Sequence, residues 1–478
     1  MNRRKINLFP HQLEALNATQ DKRRVAYYLE MGLGKTFVAS EKAEQFKERI
    51  IVVVCQKSKM KDWHDHYKEF YPHYNSVIYK KGIDEMEANT VVIINYDLIW
   101  RRDLFKKIKN FTLILDESSY IKNESSKRTK FILNMKPSNV ILLSGTPTGG
   151  KYEELYSQIR LLGWKISKSD YWERYINYRM QDVGGFKIKK VTGYKNIDEL
   201  KRKLRDAGAV FIRTEDVISL PETIENEISV KNIPQYKVFE KDRVIEISDK
   251  ELVGDTSLTK MLYLRQISGM YNKHKYEKLT ELLESTEDRI IIFYNFEHER
   301  EHITEICKKL NKPISIICGK DRDLDSYENC SNSITLIQYR AGAMGLNLQK
   351  SNKIIYFSLP LSSELFEQSK KRTHRIGQKR TCFYYYLITQ KSIEERIFKV
   401  LKLRKDYTEQ LFMEEENDHA KAIREYRLIQ GMTQRELSQK IHKSERMIKR
   451  YENGKIIPSI QILGKIFNKS IDEMISLE

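Results

Sequence analysis

Short apolar runs, rich in β-branched residues, recur along most of the chain and are separated by longer polar stretches. In the first half they occupy residues 25–29, 50–54, 91–94, 113–115 and 140–143. The second half repeats the arrangement at 290–293, 314–317, 334–337, 354–357 and 383–388. Runs this short, with no polar alternation, predict strands buried on both faces, and therefore parallel sheets covered by helices. Two such sets predict two α/β lobes. From Tyr152 to Tyr276 the strand-like runs thin out, and helical patterns such as Tyr171-Trp172-Glu173-Arg174-Tyr175 take over. A helical insertion, at about 152–205, followed by an inter-lobe connection is expected there. The acidic patch Glu414-Glu415-Glu416-Asn417-Asp418 reads as a linker, and from Ala420 the pattern is compact and helical. The expected domains are residues 1–225, 226–412, a linker at 413–419 and a small helical module at 420–478.

Composition adds partners and excludes classes. At 478 residues and 40% hydrophobic, the chain can fill more than one core and is not a disordered polymer. It holds no apolar run of the roughly 18 residues a membrane crossing requires, so no membrane is expected. The start, Met1-Asn2-Arg3-Arg4-Lys5, is basic but is followed by no apolar stretch, so a secretory signal is not expected. Five scattered cysteines lack zinc or disulfide spacing, which predicts a reducing, cytoplasmic home. The net charge of +19 favours a polyanion, nucleic acid being the commonest, although Lys-rich faces also serve solubility alone.

The chemistry begins after the first expected strand, with Glu30-Met31-Gly32-Leu33-Gly34-Lys35-Thr36. Gly32, Leu33 and Gly34 let the backbone curl so that successive N–H groups face phosphate oxygens at the start of a helix. Lys35 would neutralise the β and γ phosphates of ATP, and the Thr36 hydroxyl would hold Mg²⁺. Leu29 stands where the strict pattern has a glycine, and an incidental turn is the plain alternative. The run 113–115 ends in Asp116-Glu117, two carboxylates at the sheet edge where α/β proteins bind ligands. Asp116 is assigned to Mg²⁺ and Glu117 to the attacking water as general base, against a simple helix-capping pair. Arg372 and Arg375, three apart in a basic run, would share a helical face and reach a phosphate, unless that face is merely solvated.

Taken in order, these motifs resemble the Swi/Snf-type DNA translocases of helicase superfamily two. Phe9-Pro10-His11-Gln12 is similar to the family's adenine-reading segment, with Gln12 as the base reader. Cys55-Gln56-Lys57-Ser58 with Trp63 is similar to a segment that tracks DNA backbone, which implies DNA contacts at Lys57 and Trp63. Asp116-Glu117-Ser118-Ser119-Tyr120-Ile121-Lys122-Asn123 carries the family's Ile-Lys-Asn continuation, and Ser144-Gly145-Thr146-Pro147 its coupling motif. Phe211-Ile212-Arg213-Thr214 and Leu264-Arg265-Gln266 resemble inter-lobe signatures. The run from Arg340 through Ala341-Gly342-Ala343-Met344-Gly345-Leu346-Asn347-Leu348 matches the fifth motif, implying Arg340 as a DNA contact and Gly345 in the nucleotide site. The stretch from Arg372 to Gln378 matches the sixth. The resemblance implies two RecA-like parallel-sheet lobes, ATP and Mg²⁺ as cofactors, and double-stranded DNA as partner, with room for replication or repair proteins. The chain departs from the family at Gln56 for proline, Ser118-Ser119 for Ala-His, Ala343 for glycine and a missing Trp-Asn-Pro. None of these removes a group assigned to hydrolysis, but Ser119 stands where the usual coupling residue would.

In the C-terminal module a helix stops at Gly431, and Thr433-Gln434-Arg435-Glu436 forms a capping box opening a second helix. Ser444 caps a third, with Arg446, Lys449 and Arg450 outward, and Asn453-Gly454 stops it. The pattern looks like a helix-turn-helix of the Cro/cI (XRE) type, a small all-α domain carrying 12 Lys and Arg against 7 Asp and Glu. That implies DNA contacts from Gln434, Ser444, Arg446, Lys449 and Arg450, although a protein-docking module has the same outline. Three readings remain: a duplex translocase, a strand-separating helicase in replication or repair, and a non-enzymatic DNA-binding regulator. Lys/Ile/Asn/Tyr-rich usage points to a bacterial or phage source.

Overall fold

All ten apolar runs fold as strands of two parallel sheets. The computed structural model describes residues 6–80, 86–183, 186–247, 250–254, 256–319, 321–342, 346–412, 418–452, 456 and 458–468. The chain divides into two units, residues 1–213 with 402–478, and residues 214–401.

The first unit holds β1 (Arg24–Leu29), β2 (Ile50–Cys55), β3 (Asn75–Ile78), β4 (Thr90–Asn95), β5 (Thr112–Asp116) and β6 (Asn139–Leu143). A hairpin of β7 (Ile176–Val183) and β8 (Phe186–Tyr194) follows, then β9 (Ala209–Ile212). The sheet runs β3-β4-β2-β5-β6-β1-β9 and is parallel throughout. Strands β4 and β6 are buried along their whole length, as a parallel sheet covered on both faces requires. The consequence for function lies in the order. Because β5, β6 and β1 are neighbours, the loops leaving their C-terminal ends lie side by side at one sheet edge.

The second unit contains β10 (Thr223–Val230), the hairpin β11 (Val244–Ile247) and β12 (Lys250–Val253), then β13 (Ile290–Tyr294), β14 (Ile314–Ile317), β15 (Ile334–Gln338), β16 (Lys353–Tyr356) and β17 (Cys382–Thr389). Its sheet runs β10-β17-β16-β13-β15-β14, again parallel.

Two expectations change. The insertion is not purely helical, since helices Lys168–Tyr175 and Ile197–Asp206 flank the β7–β8 hairpin. Those two strands are polar and exposed on both faces, so they carry no apolar run to announce them. The boundary expected at 225/226 also falls inside β10, which pairs with β17 and so belongs to the second sheet. Residues 413–417, where the acidic linker was expected, lie outside the described residues.

The C-terminal module packs helices Asp418–Ile429, Gln434–Lys440, Glu445–Glu452 and Ile460–Phe467 around Ile423, Leu437, Ile441, Ile448 and Ile466. Thr433 and Glu436 form the expected capping box, and Gly431 (φ 63°) ends the first helix. Asn453 and Gly454 lie outside the described residues. Among the described residues no helix is long and apolar enough to cross a membrane.

Candidate functional site

The chain turns as soon as it leaves β1. Gly32 (φ 90°) and Gly34 (φ 73°) are both left-handed, a conformation that strains any residue with a Cβ. At Gly34 a Cβ would also stand 2.1 Å from Gln12 Nε2 and displace that side chain from the loop. Helix Lys35–Phe46 starts directly after, with Thr36 part-exposed in its first turn. The Lys35 ammonium folds back, donating to the carbonyls of Leu29 (2.9 Å) and Glu30 (3.3 Å). Burial pulls Lys35 below its ordinary pKa, while the charges of Glu117, Asp116 and Glu30 pull it back up. A cation is therefore held next to the acidic pair, with the backbone curl and helix N-terminus that phosphate requires.

Gln12 is buried, with both ends of its amide engaged. Its Oε1 accepts from the Phe9 N–H (2.9 Å) and its Nε2 donates to the Leu33 carbonyl (3.1 Å). A ring nitrogen of His11 lies 3.1 Å from the same carbonyl. Gln12, expected as the adenine reader, ties its own helix to the glycine loop.

The acidic edge is built with equal care. Asp116 Oδ2 accepts the Trp63 indole N–H at 2.9 Å. Trp63 is 2% exposed, so it corrects the expectation of a DNA contact. It belongs to the buried stripe Met60, Trp63 and Tyr67 of helix Met60–Phe70, a spacing that faces a core. Lys57 is exposed in the turn that follows β2. Burial raises the Asp116 carboxyl above its usual range, and the Trp63 bond followed by the Lys35 charge works against that rise. Glu117 adopts left-handed backbone (φ 54°, ψ 63°), a conformation costing about 1 kcal/mol or more for a residue with a side chain. Tyr96 supports it, donating its hydroxyl to the carbonyls of Asp116 (2.9 Å) and Glu117 (3.4 Å). Ser144, just past β6, donates to Glu117 Oε2 at 3.4 Å and receives the Thr146 N–H at 3.1 Å.

One residue was not foreseen at all. Gln158 is fully buried in helix Tyr156–Leu161, and its Oε1 accepts from Ser118 (2.7 Å) and Tyr28 (2.9 Å). Its Nε2 donates to the Pro147 carbonyl at 2.8 Å. The glutamine thus joins β1, the acidic loop and the Ser-Gly-Thr-Pro loop. A lone polar residue in a short helix carries no sequence signal for this.

In the second unit, helix Ser363–Lys370 stops before Arg372. Arg372 and Arg375 therefore do not share a helical face as expected; they lie in the turns beyond. Arg372 is 1% exposed, and its carbonyl accepts the Leu348 N–H at 3.1 Å, tying the sixth motif to the fifth. Arg375 is half-buried, donates to the Leu346 carbonyl at 3.4 Å, and is held below its ordinary pKa by burial. Gln378 Nε2 locks the turns by donating to Ser351 (3.0 Å) and Gln349 (3.1 Å) carbonyls. Gly345 and the Arg340 side chain lie outside the described residues.

In the module, Ser444 caps helix Glu445–Glu452 by accepting the Met447 N–H at 3.2 Å. Arg446 and Arg450 are exposed and Lys449 is partly so. Gln434, expected at a backbone phosphate, is half-buried, and its Nε2 donates to buried Glu452 at 2.8 Å. Glu452 also takes two hydrogen bonds from fully buried Arg427, at 2.5 and 3.0 Å.

A glycine loop with a half-buried lysine, an acidic pair two strands along the same sheet and a second parallel sheet define a helicase-like ATPase. The chain belongs to the SNF2-related family: the SNF2-related domain matches residues 28–275, the helicase conserved C-terminal domain 274–377 and a helix-turn-helix 423–469. It is 26% identical over 429 residues to the SWI/SNF-related matrix-associated actin-dependent regulator of chromatin subfamily A-like protein 1 of Xenopus laevis, covering 83% of this chain and 43% of that protein. It is 24% identical to an uncharacterized ATP-dependent helicase of Mycoplasma pneumoniae, over 81% of this chain and 40% of the other. The chain spans about half the length of the curated relatives it matches. Among solved structures it is similar to the Sulfolobus solfataricus SWI2/SNF2 ATPase core in complex with dsDNA, at 21% identity and TM-score 0.41, covering 85% of this chain and 93% of that one.

Proposed function

We propose that this chain is an ATP-dependent translocase on double-stranded DNA, with hydrolysis stimulated by the duplex and a helix-turn-helix that supplies its address. The observation that carries the reading is Lys35, which follows two left-handed glycines and lies within electrostatic reach of Asp116 and Glu117 at the same sheet edge. The curled N–H groups and Lys35 bind the β and γ phosphates, and Lys35 also steadies the charge that develops there. Thr36 and Asp116 would hold Mg²⁺, which supplies charge neutralisation at the phosphates; a hydroxyl and a carboxylate beside a phosphate cradle are the oxygen donors that this ion prefers. Glu117 takes the proton of the attacking water, and its strained backbone holds the carboxylate at the sheet edge. Arg375, desolvated but charged, is the arginine assigned to the γ phosphate, and Lys57 a contact to backbone phosphate. Arg446, Lys449 and Arg450 face outward for groove or phosphate contacts, which fits the Cro/cI-type reading of the module.

The test is ATP turnover by the full chain with duplex, single-stranded DNA and RNA at matched phosphate concentration. The reading expects the duplex to stimulate most. Turnover indifferent to all three, or highest with RNA, overturns it.

A further inference from the structure

Among the described residues the β7–β8 hairpin pairs with no third strand. Two strands alone are marginally stable in water, and beyond its base this pair leaves apolar side chains in solvent: Tyr178 is 38% exposed, Met180 53% and Ile188 48%. Its base, by contrast, is fixed. Ile176 is buried opposite Tyr194, whose ring stacks on Tyr152 at 4.4 Å and whose hydroxyl donates to Glu153 at 2.9 Å. The arm is thus a rooted projection of the first unit.

The arm carries more cations than acids, and two of the cations face each other. Arg179 pairs directly across the strands with Lys190, and Lys189 lies next in line opposite Met180. Like charges facing each other across a hairpin repel. Lys187 adds a fourth cation and stands directly opposite Asp182, the arm's single acid, so the arm keeps an excess of three cations. All four cations are exposed. On one face Lys189 lies over the rings of Tyr178 (4.3 Å) and Trp172 (5.3 Å), giving a cation set on an aromatic platform. Repelling cations, exposed apolar side chains and a rigid root fit an extended anion laid along the arm.

We propose that the β7–β8 hairpin is a second contact arm for the phosphodiester backbone of duplex DNA, using Arg179, Lys187, Lys189 and Lys190. Duplex is preferred because the net charge of +19 and the translocase reading both favour it, and the proposal rests on that reading for its partner. Each phosphate contact contributes about 0.9 to the slope of log affinity against log salt.

The experiment compares the full chain with the variant Arg179→Gln, Lys187→Gln, Lys189→Gln, Lys190→Gln, using a fluorescein-labelled duplex without ATP. The side chains are exposed, so the fold should hold, which far-ultraviolet circular dichroism and an unchanged urea midpoint verify. The expected result is a salt slope shallower by about 3.6, and affinity at moderate salt at least about tenfold weaker, with DNA-free ATP turnover unchanged. An unchanged slope and affinity overturn the proposal and leave the arm to an acidic protein partner. If the wild-type chain binds duplex through the arm but its ATP turnover ignores DNA, the translocase reading fails while the arm stands.

Discussion

The Ser118 hydroxyl donates to Gln158 Oε1 at 2.7 Å, and through that glutamine the acidic loop is joined to the Ser-Gly-Thr-Pro loop. Ser118-Ser119 occupy the place where the resembling family carries Ala-His, so Gln158 offers a different physical route between the two loops. Gln158→Met keeps the volume but strands two buried hydroxyls and a carbonyl, at a cost of about 2 kcal/mol in stability. Steady-state kinetics should show turnover down about tenfold, equivalent to about 1.4 kcal/mol, with KM for ATP unchanged. A raised KM at normal turnover would assign Gln158 to nucleotide binding instead.

Trp63 and Asp116 make a pH prediction. The indole N–H lowers the Asp116 pKa against a larger rise due to burial. Removing that donor in Trp63→Phe lets the carboxyl rise further, so protonation inactivates the site at a higher pH. The acid limb of the ATPase pH profile should move upward by up to about one unit. A limb that stays in place shows that Asp116 ionisation does not limit turnover.

His66 makes a stability prediction. It is buried among Phe37, Phe70 and Tyr71, meets Ser40 at 3.0 Å, and burial pushes its pKa down to about 4. An unfolded chain takes this proton near pH 6.5, whereas the folded one refuses it until about pH 4. Stability is therefore fully present above about 6.5 and falls by about 3 kcal/mol as pH drops through that window. All four tryptophans lie in the first unit, so their fluorescence in urea titrations reports its unfolding alone. His66→Gln should flatten the dependence, and an equally steep loss would place the titrating group elsewhere.

These relationships differ in how far they were legible in the sequence. The strands were, because burial on both faces of a parallel sheet leaves an unbroken apolar run such as 140–143. The placement of Lys35, Asp116 and Glu117 at one sheet edge was, because Lys35 follows the loop after one such strand and Asp116-Glu117 end another. Trp63 was misread although its spacing with Met60 and Tyr67 already marked a core face. The Arg372–Arg375 spacing suggested a helix, but sequence separation of three says nothing once the helix has stopped at Lys370. Gln158 and Glu452 were invisible, since a buried polar residue is defined by partners distant along the chain.

The module makes a separable prediction. Truncation after Glu416 should leave DNA-stimulated turnover and remove sequence preference in a random-duplex selection. Arg446→Ala should relax one position by about 1–3 kcal/mol if it reads a base edge. Glu452→Ala strands buried Arg427, destabilises the module by about 3–5 kcal/mol, and should mimic the truncation. Preference that survives truncation would make the module a docking domain.

The most direct measurement of the central claim is displacement of a third strand from a DNA triplex flanked by plain duplex. A duplex translocase should strip the third strand with ATP while the two duplex strands stay paired, and Glu117→Gln should bind the substrate yet strip at least about a hundredfold more slowly. A third strand left in place during active ATP hydrolysis, or separated duplex strands, would contradict the account.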